Sequence, residues 1–185
     1  MPVTSSQLAE LLSEHAVANG LAIVHAFNAV GHDPATGFDL AACVAVIVNE
    51  SGGENVWGHD PWNPAAYPKG PAHPAGPAVD PVTHASYTAY RLLVDEGRQP
   101  QGCGPCQLTD PGLQRVADGY GGCWLPIHNC HAGFQFLRGL FTREGNPGAG
   151  FEAYNGSGPA AVAYAQRAVQ EQAVWQARIN ALAGV

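Results

Sequence analysis

Asp39-Leu-Ala-Ala-Cys-Val-Ala-Val-Ile-Val-Asn-Glu50-Ser-Gly-Gly53 is the stretch that decides the fold. Its nine unbroken apolar residues, Leu40 to Val48, are too few to cross a bilayer, which takes about 20. Their alanines, and a capping pattern from Thr36 to Asp39 just ahead, predict a helix rather than a buried strand. A helix that is apolar on nearly every side belongs at the centre of a helical domain. Gly52 and Gly53 stop it.

Glu50 closes that run, and a carboxylate beside a buried segment is costly unless it is protonated or paired. At a helix C-terminus, desolvation and the negative end of the dipole both oppose ionisation, raising the carboxyl toward the range of a general acid. Glu50 is therefore the first candidate catalytic residue. The plainer alternative is a solvent-facing glutamate at a helix end.

Outward from this centre, residues 1–38 read as N-terminal helices. Thr4 and Gln7 have capping-box spacing, Leu8, Leu11, Leu12 and His15 share a face, and Gly20 supplies a stop before Leu21 to Val30, predicting a helical hairpin. Residues 58–82 are a Pro/Gly-rich loop. Thr83 to Glu96, with Tyr87, Tyr90, Arg91 and Val94 at helical spacing, predicts a helix ended by Gly97. Gly102 to Thr109 is too glycine-rich for a helix and predicts a short strand or turn beside the site. Asp110-Pro111 opens a helix to about Tyr120. Further helices are expected over 129–143 and 159–182, the latter with Ser157 as its cap. The fold class is α+β, mostly α, with a small β element and a long Pro/Gly-rich insertion, in one domain over residues 1–185.

Composition narrows the partners. With 185 residues, 46% of them apolar and 12% charged, the chain buries a sizeable core, which excludes a disordered chain or coiled coil. Eight basic residues face 15 acidic ones, and Lys69 is the only lysine. No clustered basic stripe exists to displace counterions, so nucleic acid is excluded as a partner. No basic residue precedes Lys69, so a secretory n-region is missing and neither export by an ordinary signal nor a membrane partner is expected. A monomer is expected.

Four motifs occur in order: Glu50-Ser-Gly-Gly53, Gly104-Pro-Cys-Gln107-Leu-Thr109, Asn129-Cys-His-Ala-Gly133-Phe-Gln-Phe-Leu137, and Ala153-Tyr-Asn-Gly156 with Val162 and Tyr164 beyond. Over roughly residues 39–169 this order resembles the soluble lytic transglycosylase and goose-type lysozyme family, which cleaves peptidoglycan glycan strands. Gly58-His-Asp after Asn55-Val-Trp57, Gly122-Cys-Trp124 and Tyr154-Asn-Gly-Ser-Gly-Pro159 further resemble endolysin (lysin A-type) catalytic domains of phages infecting actinobacteria. The resemblance implies a lysozyme-like fold, cleavage of the MurNAc–GlcNAc β-1,4 bond, synthesis in a host bacterial cytoplasm and action on the wall after release. It implies Glu50 as acid/base, Ser51 as its usual neighbour at the substrate, Gln107 and Asn155 as sugar-binding amides, and Tyr154 as the phenol close to the glutamate. Amides and phenols suit N-acetyl groups and sugar hydroxyls, and aromatic faces suit pyranose rings. Trp57, Trp62 and Trp124 are stacking candidates, with buried packing the alternative.

The departures bear on mechanism. Glu50 and Gln107 are 57 residues apart, wider than the family's gap, so residues 58–100 read as an insertion serving as lid, groove wall or partner surface. Pro105-Cys106 stands where the family has Leu-Met, and Thr109 where goose-type enzymes keep an aspartate. A transglycosylase needs one glutamate, which protonates the glycosidic oxygen and then helps the muramyl C6 hydroxyl close a 1,6-anhydro ring. A hydrolytic muramidase needs a second carboxylate; Asp60 is the best candidate, with Asp110 and Asp80 weaker. The other class of function is a non-catalytic wall-binding or zinc-stabilised module.

Cys103, Cys106, Cys123 and Cys130, with His128 and His131 nearby, offer a structural zinc, but the second pair lacks tight spacing and zinc is not favoured. Disulfides or free thiols are the alternatives, with Cys106–Cys123 the first pairing to test. Cys43 reads as a buried free thiol. The Cys103-Gly-Pro-Cys106 tetrapeptide lacks the strand and long helix of a redox enzyme. No cofactor or catalytic metal is expected.

Overall fold

The computed structural model describes residues 3–58 and 81–184. Among them the chain forms eight helices: α1 (Ser5–Glu14), α2 (Gly20–Val30), α3 (Leu40–Glu50), α4 (His84–Asp95), α5 (Pro111–Tyr120), α6 (Pro126–Glu144), α7 (Pro147–Asn155) and α8 (Pro159–Ala183).

α3 is the apolar run quoted above, and Leu40 to Ile47 are all buried, as expected of a central helix. Asp39 alone caps it, accepting Ala42 N–H at 2.7 Å, while Thr36 donates instead to the Asp33 carbonyl at 3.2 Å. Burial raises the Asp39 carboxyl above its ordinary value, partly countered by the Ala42 amide and the Gln172 amide. Gln172 Nε2, from α8, donates to both Asp39 Oδ1 (3.2 Å) and the Gly37 carbonyl (3.0 Å), fastening α8 along α3. α2 also packs on α3, and α6 packs against α2, α5 and α7. Phe38, Phe141 and Phe151 meet edge to face at 6.1 and 4.9 Å. A Cβ on Gly150 would lie 2.3 Å from the Phe141 ring, so glycine there lets α7 approach α6.

The N-terminal hairpin forms, with the Thr4–Gln7 capping box in place. Gly20 does not stop a helix as expected: α1 has already ended at Glu14, and Gly20 opens α2. Its missing side chain serves packing, since a Cβ would lie 2.8 Å from the Ala9 carbonyl oxygen. The α1–α2 link clamps the end of α3. Ala18 N–H donates to the Gly52 carbonyl (2.9 Å) and Asn19 Nδ2 to the Gly53 carbonyl (2.8 Å). Gly53 sits at φ +84°, where a Cβ would lie 2.2 Å from the Ala18 oxygen. This clamp fixes the turn that follows Glu50.

The described part of the expected insertion contributes side chains to the core. α4 begins with a Thr83–Ser86 capping box and buries Tyr87 and Tyr90 against Trp57, with centroids 6.4 and 4.8 Å away. Val56 and Pro81 form an antiparallel bridge, and Val82 N–H donates to the Asn55 carbonyl (2.8 Å). Asp60, Trp62 and Asp80, which carried sequence expectations, lie outside the described residues.

α6 begins at Pro126, a turn earlier than expected, and α8 is preceded by Gly158 with no side-chain cap from Ser157. α7 was not foreseen: Asn146 caps it through Ala149 N–H with Pro147 in its first turn. The expected β element is reduced to isolated bridges among the described residues, two of them at Cys103. The fold is thus mostly α, and no helix among the described residues is long and apolar enough to cross a membrane.

Candidate functional site

Gly102 to Thr109 folds as a tight turn. Cys103 and Leu108 exchange backbone hydrogen bonds (3.3 and 3.1 Å), and Gln107 N–H closes onto the Gly104 carbonyl at 3.0 Å. Gly104 sits at φ +72°, and a Cβ there would lie 2.4 Å from Asn129 Nδ2. Gln107 itself sits at φ +46°, a left-handed conformation costing a non-glycine residue about 1 kcal/mol. Its side chain folds back, with Nε2 donating to the Val56 (3.1 Å) and Gly104 (2.9 Å) carbonyls.

Three side chains from elsewhere hold this turn. Ser51 Oγ donates to the Pro105 carbonyl (2.8 Å) and accepts Gly53 N–H (3.1 Å). Tyr154 Oη donates to the Cys106 carbonyl (3.0 Å). Asn129, fully buried, accepts Cys106 N–H and donates to the Cys103 carbonyl, both at 2.9 Å. The turn, the end of α3 and the end of α7 are thereby locked into one unit.

Together they enclose a cleft of about 440 Å³, whose lining includes Glu50, Gln107, Thr109, Asp110, Phe136, Tyr154 and Asn155. Four expected site residues, Glu50, Gln107, Tyr154 and Asn155, therefore converge although the first and last are 105 residues apart. Ser51 does not line the cleft; it anchors the turn behind it.

Glu50, the last residue of α3, is half-buried at the cleft. Burial pushes its carboxyl up from 4.5 to about 7, with the Tyr164 hydroxyl offsetting part of the rise. Tyr154, expected beside the glutamate, is near enough to feel the charge of Glu50 but donates its hydroxyl to the Cys106 carbonyl; the hydroxyl that acts on the Glu50 carboxyl is that of Tyr164, on α8. Tyr164 Oη is buried and falls short of full hydrogen-bond geometry with any described residue, so it stands ready to donate to an ionised Glu50. Desolvation, then the adjacent Glu50, push the Tyr164 pKa far above its ordinary value, so it keeps its proton.

Of the stacking candidates, the two described tryptophans take the packing alternative. Trp57 is fully buried, and Trp124 packs against His84 (4.4 Å) and Tyr87 (5.8 Å). Phe136 and Tyr154, 5.7 Å apart, supply the aromatic side of the cleft. Phe136 stood inside a quoted motif without a role. Its helical position, about 200° around from the buried Phe134, is the signal that it faces another way.

Asp110 caps α5, accepting Leu113 N–H at 2.9 Å, and lines the same cleft. The cysteines do not pair as expected. Cys103 Sγ lies 3.4 Å from Cys123 Sγ, and Cys106 faces Cys130. The four thiols thus stand as two pairs, and no three His, Cys, Asp or Glu among the described residues gather as metal ligands. Cys43 is buried in α3. Comparison with protein-family models, curated proteins and solved structures finds no match.

Proposed function

We propose that this chain is a lysozyme-like enzyme of the endolysin kind that cleaves the MurNAc–GlcNAc β-1,4 bond of peptidoglycan as a lytic transglycosylase. The observation that carries this reading is the convergence of Glu50, Gln107, Tyr154 and Asn155 on one cleft, with the Glu50 carboxyl raised to about 7. A carboxylic acid of that strength is half protonated at neutral pH, which suits proton donation to a glycosidic oxygen. Glu50 gives its proton to the leaving oxygen. It then takes the proton of the muramyl C6 hydroxyl as that oxygen closes on C1, forming 1,6-anhydro-MurNAc. Tyr164 supports the second step by donating to the carboxylate. The exposed Asn155 amide and the Thr109 hydroxyl face the sugar, and the Phe136 and Tyr154 rings pack on it. Gln107, with its Nε2 held by two carbonyls, shapes the wall.

One observation favours a second reading, hydrolysis by an N-acetylmuramidase: Asp110 shares the cleft with Glu50 and would activate water from across the sugar. Asp60, the first candidate for that second carboxylate, lies outside the described residues, and Asp110 is the described carboxylate that shares the cleft with Glu50. Loss of turbidity of purified cell walls tests both readings against a non-catalytic wall-binding module. Clearing by wild type that is abolished in Glu50→Gln is the expected result. Binding without clearing by folded wild type overturns the enzyme reading.

A further inference from the structure

We infer that Cys103 and Cys123 form a disulfide that staples the cleft-wall turn to the α5–α6 corner. Cys103 opens the turn whose other residues, Gln107 to Asp110, line the cleft, and it is bridged on one side to Trp57 and on the other to Leu108. Cys123 lies between α5 and α6, its N–H held by Asp118 Oδ1 at 3.0 Å. The two sulfurs stand 3.4 Å apart, so small side-chain rotations bring them to bonding distance, about 2.05 Å. Asn129 Nδ2 sits against this pair, 3.3 Å from Cys123 Sγ and 2.9 Å from the Cys103 carbonyl, so the same side chain orients both ends of the link.

Cys106 has a different neighbour. Its sulfur packs on α6, where a Cβ on Gly133 would lie 2.6 Å from it, one turn along from Cys130. The turn therefore meets the α5–α6 corner through Cys103 and α6 itself through Cys106, which faces Cys130; the Cys103–Cys123 contact, at 3.4 Å, is the one that ties the turn to the corner.

The bond forms by thiol–disulfide exchange with a small-molecule disulfide such as oxidised glutathione. The Cys123 thiolate attacks one glutathione sulfur and expels the other as a thiolate; Cys103, losing its own proton, then displaces the second glutathione. Two protein S–H bonds are lost, one S–S bond is gained, and one oxidised glutathione becomes two reduced ones. Both protein sulfurs are buried, so exchange proceeds while the corner is open during folding, and the finished bond is sheltered from reductant.

This inference is independent of the proposed reaction, and its test needs no activity. Wild-type chain is refolded in oxidising glutathione buffer, alkylated, digested and mapped by mass spectrometry, with a parallel sample kept reduced. The expected product is a linked peptide pair joining residues 103 and 123, lighter by two hydrogens and missing from Cys103→Ser. Amide exchange over residues 102–109 is expected to slow about tenfold in the oxidised protein relative to the reduced one. Because that comparison uses wild type in both states, it holds even where Cys103→Ser folds poorly. Five alkylated thiols after oxidative refolding, or a bond mapped to any other pair, overturns the disulfide. Equal exchange in the two states overturns its role as a staple.

Discussion

Replacing Glu50 by glutamine is expected to stabilise the folded chain, and only at high pH. Burial raises the carboxyl from 4.5 to about 7, so the folded chain keeps between those values a proton that the unfolded chain has lost. Wild-type stability therefore falls as pH rises through that window. At about 1.4 kcal/mol per pH unit, ionising the buried side chain costs the folded state about 3 kcal/mol above pH 8. Glutamine has nearly the same shape, carries no charge, and its amide keeps the interaction with the Tyr164 hydroxyl. Urea unfolding at pH 4.5 and pH 9 checks this, read as midpoints at constant m. Variant and wild type should nearly coincide at the lower pH and differ by about 3 kcal/mol at the higher, or about 6–12 °C in Tm. An equal difference at both values, or a wild type that gains on the variant at pH 9, would show that the carboxylate is solvated and refute the general-acid assignment.

Four further outcomes follow from the same geometry. The rate of wall clearing should fall tenfold per unit as pH rises beyond about 7, because the acid form of Glu50 is lost. Tyr164→Phe should move that limb upward, since its hydroxyl holds the carboxyl down; an unmoved or lowered limb in the pH–rate profile contradicts the contact. Asn129→Ala strands two buried backbone groups of the turn and should cost about 2–4 kcal/mol in chemical denaturation. Asp110→Asn keeps an α5 cap of similar strength and should leave transglycosylation within about twofold; a loss of two orders of magnitude in muropeptide release would support the hydrolytic reading instead.

The sequence announces α3 and Glu50 because both rest on local chemistry: an apolar run with a cap at one end and an acid followed by two glycines at the other. α5 was legible from Asp110-Pro111, and α7 carried the same signal in Asn146-Pro147 but was hidden by surrounding glycines, one of which, Gly150, is a helix-packing residue. The convergence on one cleft was legible in the order of the motifs. The division of labour within it was not. Which tyrosine hydroxyl acts on Glu50 and which meets a carbonyl depends on how α7 and α8 lean on the turn, so Tyr154 bonds the Cys106 carbonyl while Tyr164, given no role from sequence, acts on Glu50. Ser51, adjacent to the acid in sequence, is turned by the Gly53 clamp toward Pro105 and away from the cleft. Cysteine pairing was equally unreadable, because Cys103 and Cys106 point to different partners only once the turn between them closes.

The most direct test of the central claim is mass spectrometry of the fragments released when purified peptidoglycan is digested by wild type and by Glu50→Gln. Wild type is predicted to release disaccharide-peptides ending in 1,6-anhydro-MurNAc, each lighter by one water than its reducing-end counterpart, and Glu50→Gln to release none. Intact walls after incubation with folded wild type, or equal release by the two proteins, would contradict it.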